Sequence, residues 1–389
     1  MRTMRLLGVL GVSGLMALLS ALAGTGRVEA AGGNTYFVSP TGTATTCVSG
    51  NTFNTIGAAL SCANQDGTTV SSPDTIIIAA GTYNEHSLDV QADVTIKGTA
   101  GSTTIDAQQQ GRVMTVQSRD PAFVVSISGL TLKDGLTPTC TEPPGPCPEV
   151  VDGGGIINFG TLSITNSTLS GNTASSCRSC VARGGGIFNA GTLSLTNSTL
   201  RGNTACGNNL ICNGEGGGIF NFGALSLTNS TLRENTACRG GCGDSFGGGI
   251  FNLGVLSLTN STLSGNTACI GGFIGGSCVG EGGGIFNLEV LSLTNSTLRG
   301  NTACSGDNCT GFGGGIYNDS GCDGCSGLGG VTLRNDTMTV NAAYSGTGSS
   351  GDGGGIYNNS GSLTSHNDTI KNNTPDNCAP PGNVAGCTN

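Results

Sequence analysis

The sequence predicts an all-β protein: a single-stranded right-handed parallel β-helix, a solenoid of similar stacked coils, with a short N-terminal capping helix. Three observations predict this fold. Gly-Gly-Gly opens seven similar blocks, apolar and polar residues alternate inside each block, and the spacing between blocks varies while the blocks themselves hardly change. A fixed block with a variable insert predicts one rung and one loop, with every loop leaving the same edge of the stack. The blocks begin at Gly153, Gly184, Gly216, Gly247, Gly282, Gly313 and Gly353.

Each block predicts three short strands. In the block that begins at Gly184, Leu193 and Leu195 alternate with Ser194 and Thr196, so the leucines can face inward and the hydroxyl residues outward. The density of glycine, serine, threonine and asparagine disfavours helix. Rungs that pair at about 4.8 Å, about ten or eleven in number, predict a stack roughly 50 Å long.

Asparagine recurs where the strands should turn, because it tolerates left-handed backbone and can hydrogen-bond to its copy in the next rung. We predict a structural Asn ladder at the first two corners of the rung. Its members are Asn189, Asn197, Asn221, Asn229, Asn252, Asn260, Asn287 and Asn295. A third corner precedes Thr-Ala, as at Asn203 and Asn235. N-glycosylation of the Asn-Ser-Thr sequences is a weaker interpretation than this structural role.

The domain organisation follows from composition. Residues 1–30 predict a secretory signal peptide, because Arg2 and Arg5 precede an apolar run and Val28-Glu29-Ala30 follows it with small residues at the cleavage positions. Residues 31–389 predict a single β-helix domain. Within it, 34–135 form the N-terminal cap and irregular rungs, 153–374 the seven Gly-Gly-Gly rungs, and 375–389 a C-terminal disulfide tail. Thr55 to Ala63 has helical spacing, with Thr55 as the N-cap and Asn64 as the stop, and predicts the helix that covers the open end.

Charge excludes some partners. Removal of the signal peptide takes away three arginines and one glutamate, which changes the net charge from −9 to about −11. An acidic chain disfavours nucleic acid and anionic membrane surfaces as partners. We expect a secreted or cell-surface protein, a monomer with no transmembrane segment after processing.

The segment from Pro73 to Val116, PDTIIIAAGTYNEHSLDVQADVTIKGTAGSTTIDAQQQGRVMTV, resembles the entry segment of pectin-lyase-like right-handed β-helix proteins. The preceding TIGAALSCAN is similar in position to the SLREA-type capping helix of secreted bacterial β-helix proteins, although it lacks the Arg-Glu pair. The GGGI and LSGN or LRGN motifs resemble the repeats of polymorphic outer-membrane proteins. This resemblance implies a scaffold and does not imply one chemistry.

The chain has 18 cysteines, and they fall into close neighbours. Their even number, together with a signal peptide, predicts local disulfides that tie off the inserts, although pairing between adjacent loops stays open. Metal binding by the two Cys-x-x-Cys pairs is the weaker alternative. The candidate pairs are Cys47/Cys62, Cys140/Cys147, Cys177/Cys180, Cys206/Cys212, Cys238/Cys242, Cys269/Cys278, Cys304/Cys309, Cys322/Cys325 and Cys378/Cys387.

No catalytic, metal or cofactor site is predicted, and a binding site cannot be assigned to particular residues. The blocks carry serine and threonine where the active-site acids of polysaccharide-degrading β-helix enzymes would be needed. Charge is richer in the early rungs, where solvated corners are the favoured interpretation over a catalytic cluster. Those charged residues are Glu85, His86, Asp89, Lys97, Asp106, Arg112, Lys133 and Asp134.

The favoured function is therefore a non-enzymatic, adhesin-like or carbohydrate-contacting protein whose disulfide-tied loops form the contact surface, with extracellular polysaccharide or a neighbouring cell surface as partner. A polysaccharide lyase or hydrolase is the first alternative. The second is an ice-binding face made of outward Ser/Thr pairs such as Ser194 and Thr196, for which ordinary solvation is the competing explanation.

Overall fold

The computed structural model describes residues 33–65, 72–117, 124–137, 150–174, 181–207, 212–240, 243–271, 278–320, 330–380 and 387. Gly33–Asn389 forms one compact unit. The predicted parallel β-helix is confirmed, since every strand pair is parallel and each rung pairs with the next. The proposed signal peptide lies outside the described residues.

Three sheets enclose the apolar core. Sheet A contains Thr52–Phe53, Thr35–Val38, Asp74–Ile78, Val94–Lys97, Val124–Ser128, Thr161–Thr165, Thr192–Thr196, Ala224–Thr228, Val255–Thr259, Val290–Thr294, Gly330–Arg334 and Ser362–His366. Sheet B contains Gly81–Tyr83, Thr103–Asp106, Thr131–Lys133, Thr168–Ser170, Thr199–Arg201, Thr231–Arg233, Thr262–Ser264, Thr297–Arg299, Thr337–Thr339 and Thr369–Lys371. Sheet C contains Leu88–Val90, Met114–Val116, Ile156–Asn158, Ile187–Asn189, Ile219–Asn221, Ile250–Asn252, Ile285–Asn287, Ile316–Asn318, Ile356–Asn358 and Cys378–Ala379.

The expectation of three strands and one loop per rung is wrong for the middle of the molecule, because the inserts form two further sheets. Sheet D contains Thr204–Cys206, Thr236–Arg239, Thr267–Ile270, Thr302–Ser305 and Ala342–Ser345. Sheet E contains Val150–Asp152, Val181–Arg183, Asn213–Glu215, Asp244–Phe246, Val279–Glu281, Thr310–Phe312 and Ser350–Asp352. Together D and E form a fin that leaves the rung after sheet B and returns to sheet C.

The fin is thin because its interior holds only small residues. Ala237 and Ala303 of sheet D are fully buried, and a Cβ placed on Gly214 or Gly280 of sheet E would overlap with their carbonyl oxygens. The backbone is also crowded where the chain leaves the fin and enters sheet C, which explains the three consecutive glycines at this point. Gly184 has φ of +63°, and a Cβ on Gly185 would collide with the backbone of Thr204.

The helix α1, Ile56–Gln65, lies against the first strands of sheets A and C. The Thr55 hydroxyl accepts a hydrogen bond from the Ala58 amide at 3.2 Å, as expected of an N-cap. Asn64 was expected to stop the helix but lies within it. Its side chain instead donates to the Asp89 carbonyl and accepts from the Gln91 amide, both at 2.8 Å.

Two buried Asn ladders run through the corners of the rungs. At the first corner, the Asn189 amide donates to the Asn221 Oδ1 atom at 2.7 Å. At the third corner, the Asn235 Oδ1 atom accepts both the backbone and side-chain N–H groups of Asn203, at 3.1 and 2.9 Å. The Asn235 side chain also donates to Asn266 and to the Leu200 carbonyl. Polar corners inside an apolar core are therefore satisfied by the neighbouring rungs.

The second corner differs from the predicted ladder. Asn197, Asn229, Asn260 and Asn295 have φ of 50° to 52°, as expected for this corner, but their side chains are exposed. In this column, side-chain hydrogen bonds are found from Asn335 to Asn295 and from Asn367 to Asn335, at 3.3 and 2.8 Å. Asparagine at the second corner is thus explained by the left-handed backbone conformation that it adopts there.

Replacing Asn235 by alanine removes a side chain that satisfies groups on both neighbouring rungs. We expect a loss of stability on the order of 3 kcal/mol, because several buried donors and acceptors lose their partner. Asn229→Gly in the same rung is the matched control, since glycine accepts its φ of 50°. Urea midpoints measure both effects, and equal losses would contradict the structural role of the buried ladder.

Candidate binding faces

The most regular surface lies on the outside of sheet A. Over six rungs, the third and fifth positions of the strand, or their equivalents, carry only serine or threonine, and each residue pairs in register with its copy in the next rung. We call these twelve residues the hydroxyl face. They are Ser126, Ser128, Ser163, Thr165, Ser194, Thr196, Ser226, Thr228, Ser257, Thr259, Ser292 and Thr294. The two files lie about 7 Å apart, with members about 4.8 Å apart along the stack.

The hydroxyl groups of this face are not used by the protein. All twelve side chains are half-buried or exposed, and none makes a hydrogen bond within the described part of the chain. The inward serines of the second corner behave differently. The Ser230 hydroxyl donates to the Thr228 carbonyl at 2.9 Å and accepts from the Ser198 amide at 3.2 Å. The outward hydroxyls therefore keep their hydrogen-bonding capacity for water or a ligand.

The hydroxyl face contains no charged residue, and a basic residue lies at each of its two ends. In the second file, Lys97 pairs in register with Ser128 at one end, and Arg334 pairs with Thr294 at the other. Between them lie only hydroxyl groups on an acidic chain of net charge −9. The face is thus a neutral, flat array.

An apolar strip borders the hydroxyl face on the side of sheet C. We call it the apolar rail, and it consists of Phe159, Phe222, Val255 and Val290, which are 47% to 54% exposed. Val255 and Val290 begin sheet A strands and pair in register. Phe159 and Phe222 follow the first-corner asparagines two rungs apart, which places them about 10 Å apart along the stack.

The disulfides lie inside the fins. Cys206 bonds to Cys212, Cys269 to Cys278, and Cys304 to Cys309, and each bond joins the end of a sheet D strand to the chain that enters sheet E. All six of these cysteines are at most 2% exposed. The sulfurs therefore brace the fins from within and are not part of their surface.

Two further disulfides lie near the ends of the solenoid, joining Cys47 to Cys62 and Cys378 to Cys387. Cys238 is also disulfide-bonded. The remaining candidate cysteines lie outside the described residues; they are Cys140, Cys147, Cys177, Cys180, Cys242, Cys322 and Cys325.

One cysteine cluster has the proximity that a metal site needs. The Sγ atoms of Cys269, Cys278 and Cys304 lie within 4.8 Å of one another and are buried. All three belong to disulfides. A metal ligand must be a thiolate, so this cluster does not offer a site in its oxidised form.

An aromatic ladder runs along the outside of sheet C beneath the fin. The rings of Phe188, Phe220, Phe251, Phe286, Tyr317 and Tyr357 stack face to face with centroids 4.9 to 5.3 Å apart. Phe246 and Phe312 of sheet E pack against this ladder from the fin. Sequence reasoning missed it, although Phe or Tyr stands at one fixed position of each block after the first. The aromatic contacts anchor the fin to the solenoid.

Charged side chains of sheet E lie in the same seam. Arg183 binds Glu215 at 3.0 Å and lies 5.2 Å from the centre of the Phe220 ring. Burial raises the pKa of Glu215, which Arg183 partly opposes. Farther along, burial raises the pKa of Glu281 to about 7, and the charges of Asp244 and Asp319 add to this shift.

The charged residues of the early rungs have structural partners. Glu85 accepts the amides of Ile56 and Gly57 at 2.7 and 2.8 Å, so it binds the N-terminus of α1. Lys133 pairs with Asp106 and Asp134 at 2.7 and 2.8 Å. Arg112 donates to the carbonyls of Asp152 and Gly153, both at 2.7 Å.

A cleft of about 470 Å³ lies between α1 and residues 84–89, and Glu85, His86 and Asp89 line it. His86 Nδ1 lies 3.1 Å from the Ser87 hydroxyl. One carboxylate oxygen of Asp89 contacts the Gln91 side chain, and the other is buried with no hydrogen-bond donor in the described chain. Because Glu85 is held by the helix, the cleft does not present a pair of free carboxylates. Lys97 lies away from it, on sheet A.

No protein-family model and no curated protein matches the sequence. Among solved structures, the chain is similar to pectin methylesterase PemA from Erwinia chrysanthemi, with 14% identity and a TM-score of 0.32 over 82% of each chain. It is also similar to the A-modules of the mannuronan C-5 epimerases AlgE4 and AlgE6 from Azotobacter vinelandii. For AlgE4 the identity is 14% and the TM-score 0.29, over 84% of this chain and 95% of that module. For AlgE6 the identity is 12% and the TM-score 0.25, over 84% of this chain and 94% of that module. At these values the likeness carries no argument about activity.

A search of the described residues for membrane-spanning segments finds no helix that is long and apolar enough to cross a bilayer.

The buried Glu281 predicts a pH dependence of stability. Its pKa is about 7 in the folded chain but near ~4.3 in the unfolded chain, so the folded state binds more protons between these values. This contribution to stability is complete below about pH 4 and is lost as the pH rises through 7.

We therefore expect the urea midpoint of Glu281→Gln to fall less between pH 5 and pH 7.5 than that of the unmodified protein. The comparison isolates Glu281 from other buried acids such as Asp336, whose pKa burial raises to about 6. Parallel curves for the two proteins would show that Glu281 is ionised throughout this range.

Proposed function

We propose that this protein is a non-enzymatic, secreted or cell-surface β-helix that contacts an extended, uncharged carbohydrate chain through the hydroxyl face and the apolar rail. The observation that supports this most is the two in-register files of hydroxyl groups, none of which makes a hydrogen bond within the described chain. Each hydroxyl can donate and accept, as the hydroxyl groups of a neutral sugar do.

The apolar rail supplies the second half of carbohydrate recognition. A sugar ring has an apolar face that packs on aromatic and aliphatic side chains, and Phe222 and Val255 present such surface beside the hydroxyl files. The repeat of the rung lets a long chain make similar contacts many times. Weak contacts of this kind become useful through their number.

The fins support the contact surface but are weaker candidates for it. Their disulfides are buried, and their inserts differ in length from rung to rung, so the fins do not offer a regular array. The disulfides do favour an oxidising compartment, in agreement with the proposed secretion.

A polysaccharide lyase or hydrolase is less well supported. Such chemistry needs free acids and bases above a substrate cleft. Among the acids described above, Asp106 and Glu215 are paired, Glu281 is buried in the seam under the fin, and Glu85 is held by α1. Release of reducing or unsaturated sugar from any polysaccharide would overturn the non-enzymatic assignment.

The contact surface is tested by the double variant Thr196→Tyr/Thr228→Tyr on an array of neutral glycans. Two bulky rings break the flat face at neighbouring rungs, so we expect at least about a tenfold loss of affinity for any glycan that the unmodified protein binds. Thr199→Tyr/Thr231→Tyr places the same rings on sheet B of the same rungs and should leave this binding unchanged. Equal losses in both variants would contradict the assignment to sheet A.

Ice binding is a second candidate, supported by the regularity of the same two files. A flat, uncharged lattice of hydroxyl groups about 4.8 by 7 Å can order water against its surface. If it acts on ice, the unmodified protein should inhibit ice recrystallisation, and Thr196→Tyr/Thr228→Tyr should not. Equal behaviour of the two proteins would exclude this function.

A further inference from the structure

A second file of like residues runs along the outside of sheet B. The last residue of successive sheet B strands faces outward, and these residues pair in register from rung to rung. Five of the eight positions in this file are basic, and we call those five the cation file. In order the eight residues are Lys133, Ser170, Arg201, Arg233, Ser264, Arg299, Thr339 and Lys371.

This clustering stands out on an acidic protein. The chain has a net charge of −9, yet half of the ten lysines and arginines in the described ranges lie on this one file. Such a strip creates a local positive potential that differs from the field of the whole molecule. The negative net charge of the whole chain therefore does not exclude an anionic polymer at this face.

The central and C-terminal cations of the file are available. The side chains of Arg201, Arg299 and Lys371 are exposed and make no ion pair or hydrogen bond within the described chain. Arg233 contacts only the exposed Glu234, at 3.1 Å, and exposed pairs of this kind are weak. Lys133 is already held between two aspartates, so it marks the end of the usable file.

A continuous file of threonines runs beside the cations. Ten sheet B strands carry threonine at the neighbouring outward position, all in register. The ten are Thr82, Thr104, Thr131, Thr168, Thr199, Thr231, Thr262, Thr297, Thr337 and Thr369. Their hydroxyls lie about 7 Å from the cation positions. Sheet B thus combines positive charge with hydroxyl donors along a straight line.

The spacing of the cations indicates the kind of ligand. From Arg233 to Lys371 the cations are two rungs apart, at Arg233, Arg299 and Lys371, which gives about 10 Å for each interval. Arg201 lies one rung before Arg233 and is outside this series. One rung is close to the length of one sugar in an extended chain. The file therefore matches a polymer with an anionic group on every second sugar better than one charged at every sugar.

We propose that the cation file and its threonines bind a linear glycan carrying sulfate or carboxylate groups at intervals of about two sugars. Guanidinium groups pair with such anions through charge-assisted hydrogen bonds, and the threonines reach the sugar hydroxyls between them. In the described chain sheet B has no outward aromatic residue on which bases could stack, which disfavours single-stranded nucleic acid. This site uses a different face from the neutral-glycan surface, so the two proposals can fail separately.

The test compares sparsely sulfated dextran, sparsely carboxymethylated dextran, unmodified dextran, polygalacturonate and a single-stranded oligonucleotide as ligands of the full chain at two salt concentrations. We expect the sparsely charged dextrans to bind more tightly than unmodified dextran, with the stronger of the two identifying the anion, and any binding of unmodified dextran through sheet A to be unchanged in variants of the cation file. Arg201→Gln/Arg299→Gln should weaken binding roughly tenfold or more and reduce its salt dependence. Arg239→Gln/Arg334→Gln removes the same charge from other surfaces and should change binding little.

A gain of function completes the test without relying on loss of binding. Ser170→Arg lies two rungs before Arg233, so it extends the series of cations at two-rung intervals and should tighten binding several-fold. Ser350→Arg adds the same charge to the fin and should not. Absence of binding to the charged dextrans overturns the proposal, as do equal effects of file and control variants. Tighter binding of polygalacturonate would overturn the proposed charge spacing. Tighter binding of the oligonucleotide would assign the face to nucleic acid instead.

Discussion

The structure depends on one constraint: every rung must close its corners inside an apolar core without leaving a polar group unpaired. A coil of short strands has to turn within a few residues, and each turn brings backbone amides and carbonyls into the interior. Asn235 shows the solution, because its side chain accepts two N–H groups from one rung and donates to the next. A buried residue whose hydrogen bonds run to its copies in both neighbouring rungs fixes the register of the stack.

Because the register between rungs is fixed, residues that repeat in the sequence form straight lines on the surface. Once Asn203 and Asn235 lie above each other, every outward residue lies above its equivalent, and a property repeated at one position becomes a line about 4.8 Å per step. The hydroxyl face, the aromatic ladder and the cation file all arise in this way. They differ in their neighbours: the aromatic ladder is covered by the fin, while the other two remain open to solvent.

The sequence was sufficient to predict strands wherever apolar and polar residues alternate strictly. Leu193 and Leu195 alternate with hydroxyl residues, so sheet A and the core could be predicted, and the left-handed backbone at Asn197 followed from residue type. The fin could not be predicted, because the buried positions of its strands are mostly glycine, alanine and cysteine, which give no clear alternation of large apolar and polar residues. The strands of the fin form because they pair with the equivalent strands of neighbouring rungs. This pairing is long-range and cannot be inferred from the sequence of one repeat. The cation file was missed for a related reason, since its members are interrupted by serine and threonine and only pairing in register reveals the line.

The position of the inserts explains why the candidate sites lie on sheets A and B. Successive glycine triplets are 31 to 40 residues apart. The first five intervals differ in length only at the fin, whereas the last and longest takes its extra residues between Ile316–Asn318 of sheet C and Gly330–Arg334 of sheet A. The expectation that every insert leaves the same edge of the stack is therefore wrong for this rung. Thr294 pairs with Arg334 in sheet A, and Arg299 with Thr339 in sheet B, without a shift although an insert separates their rungs. A long polymer needs binding groups at a constant interval, and sheets A and B keep that interval because their strands pair in register from rung to rung. The buried disulfides brace the fin, where most rungs take up their differences in length. The fin therefore lets these rungs differ in length while sheets A and B present two regular surfaces of different chemistry.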